Sequence, residues 1–229
     1  LDYKNPYLSP YLEFQRFKHH PAIKKLLEGG RRINYGARAL NEGGVQSLPK
    51  LTFPGGMLVG CEAGFLNVPK IKGTHLAMKS GMIAAQSIFE NIDKQDEISE
   101  FQTNIKQSWL WNELYKVRNI RPSFKWGFWK AIVYSAIDTY IFRGNAPWTI
   151  DHHGTDHESL GKKDNYKKIK YPKPDNVISF DRLTNVSFSG TNHEENQPCH
   201  LQLKDKDVPI QTNFELYDNP ETRYCPAGV

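Results

Sequence analysis

Apolar positions recur at helical spacing near the start of the chain and again past its middle. Ser9 and Pro10 read as a helix start, with a hydroxyl able to cap and a proline tolerated in the first turn. Pro21 interrupts that helix and begins another carrying Ile23, Leu26 and Leu27, which Gly29 and Gly30 stop. From Ser99 to Ile120, Phe101, Ile105 and Trp109 form one stripe, and Leu110, Leu114 and Val117 extend it. This predicts one long amphipathic helix ended by Arg121 and Pro122. Residues 31–53, with Ile33, Tyr35, Val45, Leu48 and Leu51 separated by glycines, suggest short strands and turns. Strand-like patterning returns in VISFDRLTNVSFSG and HLQLKDKDVPI, with turns at Gly190 and around Asp205 to Asp207.

The stretch from Pro54 to Ala85, PGGMLVGCEAGFLNVPKIKGTHLAMKSGMIAA, changes period part-way. Met57, Leu58 and Val59, bounded by Gly55, Gly56 and Gly60, suit a strand buried on both faces. Gly60 and Gly64 let backbone approach a ligand where a Cβ would obstruct it. A helix starting at Gly73 or Thr74 offers unpaired N–H groups and a positive dipole end to a phosphate or an electron-rich ring oxygen. Ala77, Gly81, Ala84 and Ala85 allow that helix to press closely on a sheet. The pattern alone fits an ordinary βα unit as well as a nucleotide cofactor site.

FKWGFWKAIVYSAIDTYIFRGNAPW crowds Phe124, Trp126, Phe128, Trp129, Tyr134, Tyr140, Ile141, Phe142 and Trp148 into one span. Lys130 and Asp138 interrupt it, and it falls short of the roughly 20 apolar residues a spanning helix needs. With Lys125, Lys130 and Arg143 at its margins it suits the interfacial layer of a membrane. On residues alone, an aromatic core element fits equally. Beyond it, DHHGTDHE gathers His152, His153 and His157 with Asp151, Asp156 and Glu158. His153 and His157 have the i, i+4 spacing of a metal pair, but Gly154 between them weakens a helix. KKDNYKKIKYPKP reads as a solvated basic linker closed by Pro172 and Pro174.

Hydrophobic residues at 38% and charged residues at 24% of 229 exclude wholesale disorder. A mean hydropathy of −0.62 excludes a polytopic membrane protein. The formal charge of +5 comes from scattered basic residues without a nucleic-acid motif, so attraction to an anionic membrane surface explains it better than a nucleic-acid partner. Cys61, Cys199 and Cys225 match neither a disulfide framework nor a zinc spacing. Cys61 and Cys199 read as structural thiols. Asn41 and Glu42 are explained by turn chemistry, and His193 as a surface or turn residue. No nucleophile, base and orienter triad is discernible, which fits redox chemistry carried by cofactors.

The run GARALNEGGVQSLPKLTFPGGMLVGCEAGFLNVPKIKGTHLAMKSGMIAA closely resembles the electron transfer flavoprotein–ubiquinone oxidoreductase family, and YLSPYLEFQRFKHHP, RNIRPSF, RGNAPWT, SGTNHEENQPCHL and YCPAGV are similar to it in the same order. The resemblance implies an α+β or α/β fold: the C-terminal part of a glutathione-reductase-like FAD domain with a quinone-binding region, then the start of a ferredoxin-like iron–sulfur domain. The spans expected are 1–54 for part of the FAD and ubiquinone region, 55–123 for the C-terminal part of the FAD domain, 124–148 for a membrane-interface aromatic hairpin, 149–174 for a polar linker and 175–229 for the iron–sulfur domain.

By the same resemblance Gly60, Gly64, Asn67, Gly73 and Thr74 would hold FAD, and Cys225 would be one ligand of a 4Fe-4S cluster. Trp126, Phe128, Trp129, Tyr134 and Phe142 would meet the membrane. The implied activity passes electrons from reduced electron transfer flavoprotein to ubiquinone at the matrix face of the mitochondrial inner membrane, or at a bacterial inner membrane. The family's upstream GxGxxG and downstream CxxCxxC are not in these 229 residues, so a piece inactive by itself is expected. Another FAD-dependent reductase or monooxygenase, or a non-catalytic membrane-surface module, are the alternatives.

Overall fold

The computed structural model describes residues 3–93, 96–152, 154–198 and 202–224. In chain order its helices are α1 (Pro10–Lys18), α2 (Pro21–Leu27), α3 (Thr74–Glu90), α4 (Glu100–Gln107), α5 (Trp109–Lys116), α6 (Ile120–Ser123), α7 (Phe128–Ala136), α8 (Arg182–Ser187), α9 (Glu215–Tyr217) and α10 (Glu221–Tyr224). Strands β1 (Thr52–Phe53) and β2 (Gly56–Met57) form an antiparallel hairpin with Thr52 opposite Met57 and Phe53 opposite Gly56. The chain divides into two compact units, Leu1–Arg38 with Gly154–Val229, and Ala39–His153. These units cut across the sequence-expected spans 1–54 and 149–174.

In the first unit α1 begins as its sequence predicts, with Pro10 in the first turn and the Ser9 hydroxyl accepting from the Leu12 N–H. Buried Tyr11 and Gln15 receive the second half of the unit. The Tyr11 hydroxyl donates to the Phe180 carbonyl at 2.8 Å and accepts from Asn185 Nδ2 at 2.6 Å, while Gln15 Oε1 accepts from Phe180 N at 3.0 Å. The Arg32 guanidinium lies 3.9 and 4.1 Å from the ring centroids of Phe180 and Phe188 and donates to Asn185 Oδ1 at 2.6 Å.

The strands expected in VISFDRLTNVSFSG are instead a turn and a helix. Asp181 accepts from the Thr184 N–H at 2.9 Å and so caps α8, a local competition that outweighs the β pattern. Past it, Pro209–Phe214 is a π-helical segment rather than a strand, running straight into α9.

Asp175 closes the turn before α8 by accepting from the N–H groups of Val177, Ile178 and Ser179 at 2.9–3.0 Å and from the Ser179 hydroxyl at 3.1 Å. These bonds, that from the Ser179 N–H foremost, hold its carboxyl far below the usual carboxylate range. A depressed folded pKa contributes stability above the unfolded value of about 3.9 and loses it as pH falls toward the folded one. The gap in denaturation midpoint between the native chain and Asp175→Ala is therefore expected to be widest at neutral pH and to narrow below about pH 4. A gap that stays constant down to pH 2 would contradict this.

The core of the second unit is helical. Phe65, Leu76, Phe101, Ile105, Leu110 and Leu114 are fully enclosed, and α3 packs on α4 and α5 through Leu76, Ser80, Ile83, Ala84 and Ser87. The single long helix expected over 99–120 is broken at Ser108, which is extended (φ −85°, ψ 161°). The break has a packing reason. In an unbroken helix Leu110 would lie about 180° around the axis from Phe101. Breaking the helix lets Phe101, Ile105, Leu110 and Leu114 enter one core and turns Trp109 outward.

The chain is mixed helical with little sheet. The strand expected to be buried on both faces at Met57–Val59 is a two-residue hairpin arm, and Leu58 and Val59 are exposed. A doubly covered strand needs neighbours on either side, and among the described residues β2 has only β1. The small residues of α3 accordingly meet no sheet: Ala84 is buried, Ala77 and Gly81 are half-buried, and Ala85 is exposed.

Candidate functional site

The five residues expected at a cofactor turn all lie on one short path in the second unit. Gly60 (φ 81°) and Gly64 (φ 106°) occupy the left-handed region, and the Phe65 and Gly64 N–H groups bond back to the Gly60 and Cys61 carbonyls at 3.2 and 3.0 Å. The Ser80 hydroxyl accepts from Gly60 N at 3.0 Å and donates to the Ala77 carbonyl at 2.7 Å, which ties the turn to α3. A Cβ built on Gly60 would lie in ordinary contact with Glu62 Oε2 at 3.8 Å and Ala77 Cβ at 4.0 Å, so the positive φ rather than lack of room is what calls for glycine.

Between turn and helix the chain closes a small loop. Asn67 and Lys72 exchange backbone bonds at 2.9 and 3.2 Å, while the Asn67 side chain caps Val68–Lys70 by accepting from Lys70 N at 3.4 Å. Asn67 is fully buried and its Nδ2 donates to Glu113 Oε1 at 2.8 Å, so this side chain is engaged inside the protein. Gly73 then starts α3. A Cβ there would stand 2.4 Å from Cys61 Sγ and 2.9 Å from Leu66 Cδ1, so no larger residue fits without movement. Gly73 brings no side-chain cap to the first turn of α3, and Thr74 beside it is exposed.

Glu113 gathers the same segment from α5. Burial pushes its carboxyl upward, but hydrogen bonds from Asn67 and His75 and the charge of Lys70 outweigh that, and its pKa lies below the usual carboxylate value. His75 stacks on Trp109 with ring centroids 6.0 Å apart and planes 6° from parallel.

The aromatic span forms a second feature of this unit. After the 3₁₀ turn Phe124–Trp126, Gly127 (φ 92°) breaks the path, and α7 continues as the π-helical segment Ile137–Ile141. One side is anchored by buried Ala131 and Asp138. The other leaves Trp129 77%, Val133 61%, Tyr140 80% and Ile141 71% exposed. The chain then returns along the helix: Phe142 packs edge-on against Trp148 at 5.1 Å, and Trp148 Nε1 donates to the Tyr134 hydroxyl at 2.8 Å. Trp126, Trp129, Lys130, Val133, Tyr134 and Ile137 line an open groove of about 400 Å³. Of the five residues expected at a membrane interface, Trp126, Phe128 and Trp129 are exposed, whereas Tyr134 and Phe142 are half-buried against the return. Among the described residues no helix is long and apolar enough to cross a membrane.

Residues 1–40 match the family model described as ETF-QO, ubiquinone-binding, and residues 176–229 match that described as Electron transfer flavoprotein-ubiquinone oxidoreductase, 4Fe-4S. The chain is 57% identical over 239 residues to the mitochondrial electron transfer flavoprotein-ubiquinone oxidoreductase of Sus scrofa and 56% identical over 239 residues to that of Homo sapiens. It is 51% identical over 245 residues to that of Dictyostelium discoideum. The chain belongs to the electron transfer flavoprotein-ubiquinone oxidoreductase family. Each of these alignments covers 100% of the chain but only 39–40% of the relative, so it spans about two fifths of the length of these curated relatives.

For a member of this family, two elements bearing on the site went unread in the sequence. Glu113 is a lone carboxylate within the apolar run WLWNELY, and Arg118 opens RNIRPSF at the end of the same apolar stripe, directly after Val117. A single acid or base inside an amphipathic stripe is the signal that marks both. Cys225, with Cys199 and His153, lies outside the described residues. Among the described residues no group of three or more His, Cys, Asp or Glu could hold a metal ion. His152 Nε2 instead lies 2.7 Å from the Gly43 carbonyl.

Proposed function

We propose that this chain works as part of an enzyme of its relatives' length, one that accepts electrons from reduced electron transfer flavoprotein and passes them to ubiquinone through FAD and a 4Fe-4S cluster. The observation that carries this is the pairing, in one compact unit, of a glycine turn feeding an uncapped helix start with an exposed aromatic helix face. The FAD fit rests on two features of the turn. Gly60 holds a positive φ that keeps the turn free of a side chain, and Gly73 starts α3 without a side-chain cap on its first-turn N–H groups.

In that role Gly60 and Gly64 permit close backbone approach, and Gly73 and Thr74 present N–H groups and a dipole end toward the flavin edge that gains negative charge. Asn67 shapes the loop that delivers them. FAD supplies the electron-carrying chemistry, and the protein supplies placement and electrostatics. Cys225 would contribute a thiolate to the cluster. The aromatic face would seat the enzyme on the membrane so that a lipid-dissolved quinone head reaches a redox centre, at the matrix side of the inner mitochondrial membrane.

Replacing Thr74 by alanine in the complete enzyme is expected to shift the flavin midpoint potential while leaving the cluster's electron paramagnetic resonance signal unchanged. An unshifted flavin potential would remove the Thr74 side chain from the site. Visible spectroscopy and a quinone-reduction assay on the same preparation test the wider proposal, and a colourless, iron-free enzyme would end it.

A further inference from the structure

The Glu113 carboxylate, on α5, holds two residues of the segment that links the turn to α3 and one in the first turn of α3 itself. Its Oε1 accepts from Asn67 Nδ2 at 2.8 Å, and lies 3.0 Å from His75 Nε2 and 3.4 Å from Lys70 Nζ; Oε2 lies 3.1 Å from the same His75 nitrogen. Gly73 and Thr74 lie between Lys70 and His75 in the chain, so one side chain from another helix ties down both ends of the path that presents them. Three donors converging on one group require an acceptor with several lone pairs and a negative charge, which a carboxylate supplies and an amide or hydroxyl does not. Stacking of His75 on Trp109, also from α5, braces the same contact from its other side.

We infer that Glu113 is a positioning residue for the flavin: it fixes where Gly73 and Thr74 present their N–H groups, and it sets a negative charge close to a centre that becomes more negative as it accepts electrons. The inference rests on the assignment of this turn to FAD. Two consequences follow from electrostatics and geometry. Removing the charge should make electron uptake easier and raise the flavin potential. Removing the acceptor altogether should loosen the loop and the cofactor it presents.

The experiment is a redox titration of the complete enzyme with flavin content measured after dilution, comparing native protein, Glu113→Gln, Glu113→Ala and Thr74→Ala. Glu113→Gln keeps the length and one acceptor for Asn67, and is expected to raise the flavin midpoint potential. Glu113→Ala is expected in addition to weaken FAD retention by about tenfold. The cluster's electron paramagnetic resonance signal should be native in both, which separates a local effect from misfolding. If Glu113→Ala does not fold, Glu113→Gln decides alone. A shifted potential in Thr74→Ala with native potential and FAD retention in Glu113→Gln would overturn the role of Glu113 and leave the FAD assignment standing. Native potentials and native FAD retention in every variant would overturn the role of Glu113 and take the Thr74 side chain out of the flavin site as well.

Discussion

Replacing Trp129 and Ile141 together by aspartate should release the complete enzyme from phospholipid vesicles while leaving its folding stability nearly untouched. Both side chains are more than two-thirds exposed in the second unit, so neither contributes much to the core, and exposed substitutions of this kind typically change stability by less than about 0.5 kcal/mol. In a membrane interface each would bury an apolar side chain worth about 1.5–3 kcal/mol, roughly tenfold or more in partitioning per residue, and each aspartate adds a charge that resists burial. Vesicle co-sedimentation at fixed lipid is the measurement, with thermal unfolding as its control. Unchanged co-sedimentation would mean that this face meets something other than lipid.

The charge around that face makes the expectation more specific. From Lys116 to Ile150 six basic residues stand against one acid, Asp138, a surplus of five that matches the formal +5 of the whole chain. Asp138 is buried, whereas Lys125, Lys130 and Arg143 are exposed around the aromatic side chains. Each such cation near an anionic leaflet contributes about 1 kcal/mol, screened within a Debye length. Binding to vesicles containing anionic lipid should therefore exceed binding to neutral ones and decline as salt rises.

How much of this could be read from the residues depended on whether the signal was local. The Ser9 and Pro10 helix start and the Gly73 entry to α3 are carried by a few adjacent residues, and the structure has them where the sequence put them. The aromatic span was legible as unfit for a bilayer crossing, because Lys130 and Asp138 interrupt it, but not as exposed, since an aromatic core element fitted the same residues equally. The break at Ser108 was not legible, because the stripes on either side are each good helix and only the shared core decides that they must be offset. Nor was α8: VISFDRLTNVSFSG has strand composition, and the outcome turns on Asp175 and Asp181 capturing backbone N–H groups. Within the candidate site the glycines were readable from pattern, whereas Glu113 meets Asn67, Lys70 and His75 only across more than 30 residues of chain, through the packing of α5 against α3.

Arg118→Ala is expected to be among the most damaging single substitutions in the second unit. Arg118 is 5% exposed, and its guanidinium donates to the carbonyls of Tyr115, Gly144, Ala146 and Trp148 and to the Thr149 hydroxyl at 2.6–3.0 Å. Those acceptors belong to α5 and to RGNAPWT, so one side chain fastens the returning segment of the aromatic feature to the helical core. Asn119 assists, donating to the Trp148 carbonyl at 3.1 Å and accepting from Ile150 N at 2.8 Å. Removing one partner from a buried charged network of this kind costs about 3–5 kcal/mol, because the remaining groups lose bonds that water does not replace. Arg118→Lys keeps a charge but cannot span five acceptors, and should recover only part of the loss.

Asp138 gives this prediction a pH signature. Burial already raises its carboxyl pKa, and the nearby Arg118 charge opposes the rise; without that charge the pKa moves further up. A raised folded pKa means that the native state holds a proton the unfolded state has released, so stability declines as pH climbs above the unfolded value of about 3.9. The deficit of Arg118→Ala relative to native protein should thus be smaller near pH 4 than at pH 7, and Asp138→Asn introduced into Arg118→Ala should recover part of it at pH 7 but little at pH 4. Denaturant unfolding of the four proteins in a double-mutant cycle measures this directly. A deficit of equal size at both pH values would place the whole role of Arg118 in its hydrogen bonds to the loop and none in compensating the buried carboxylate.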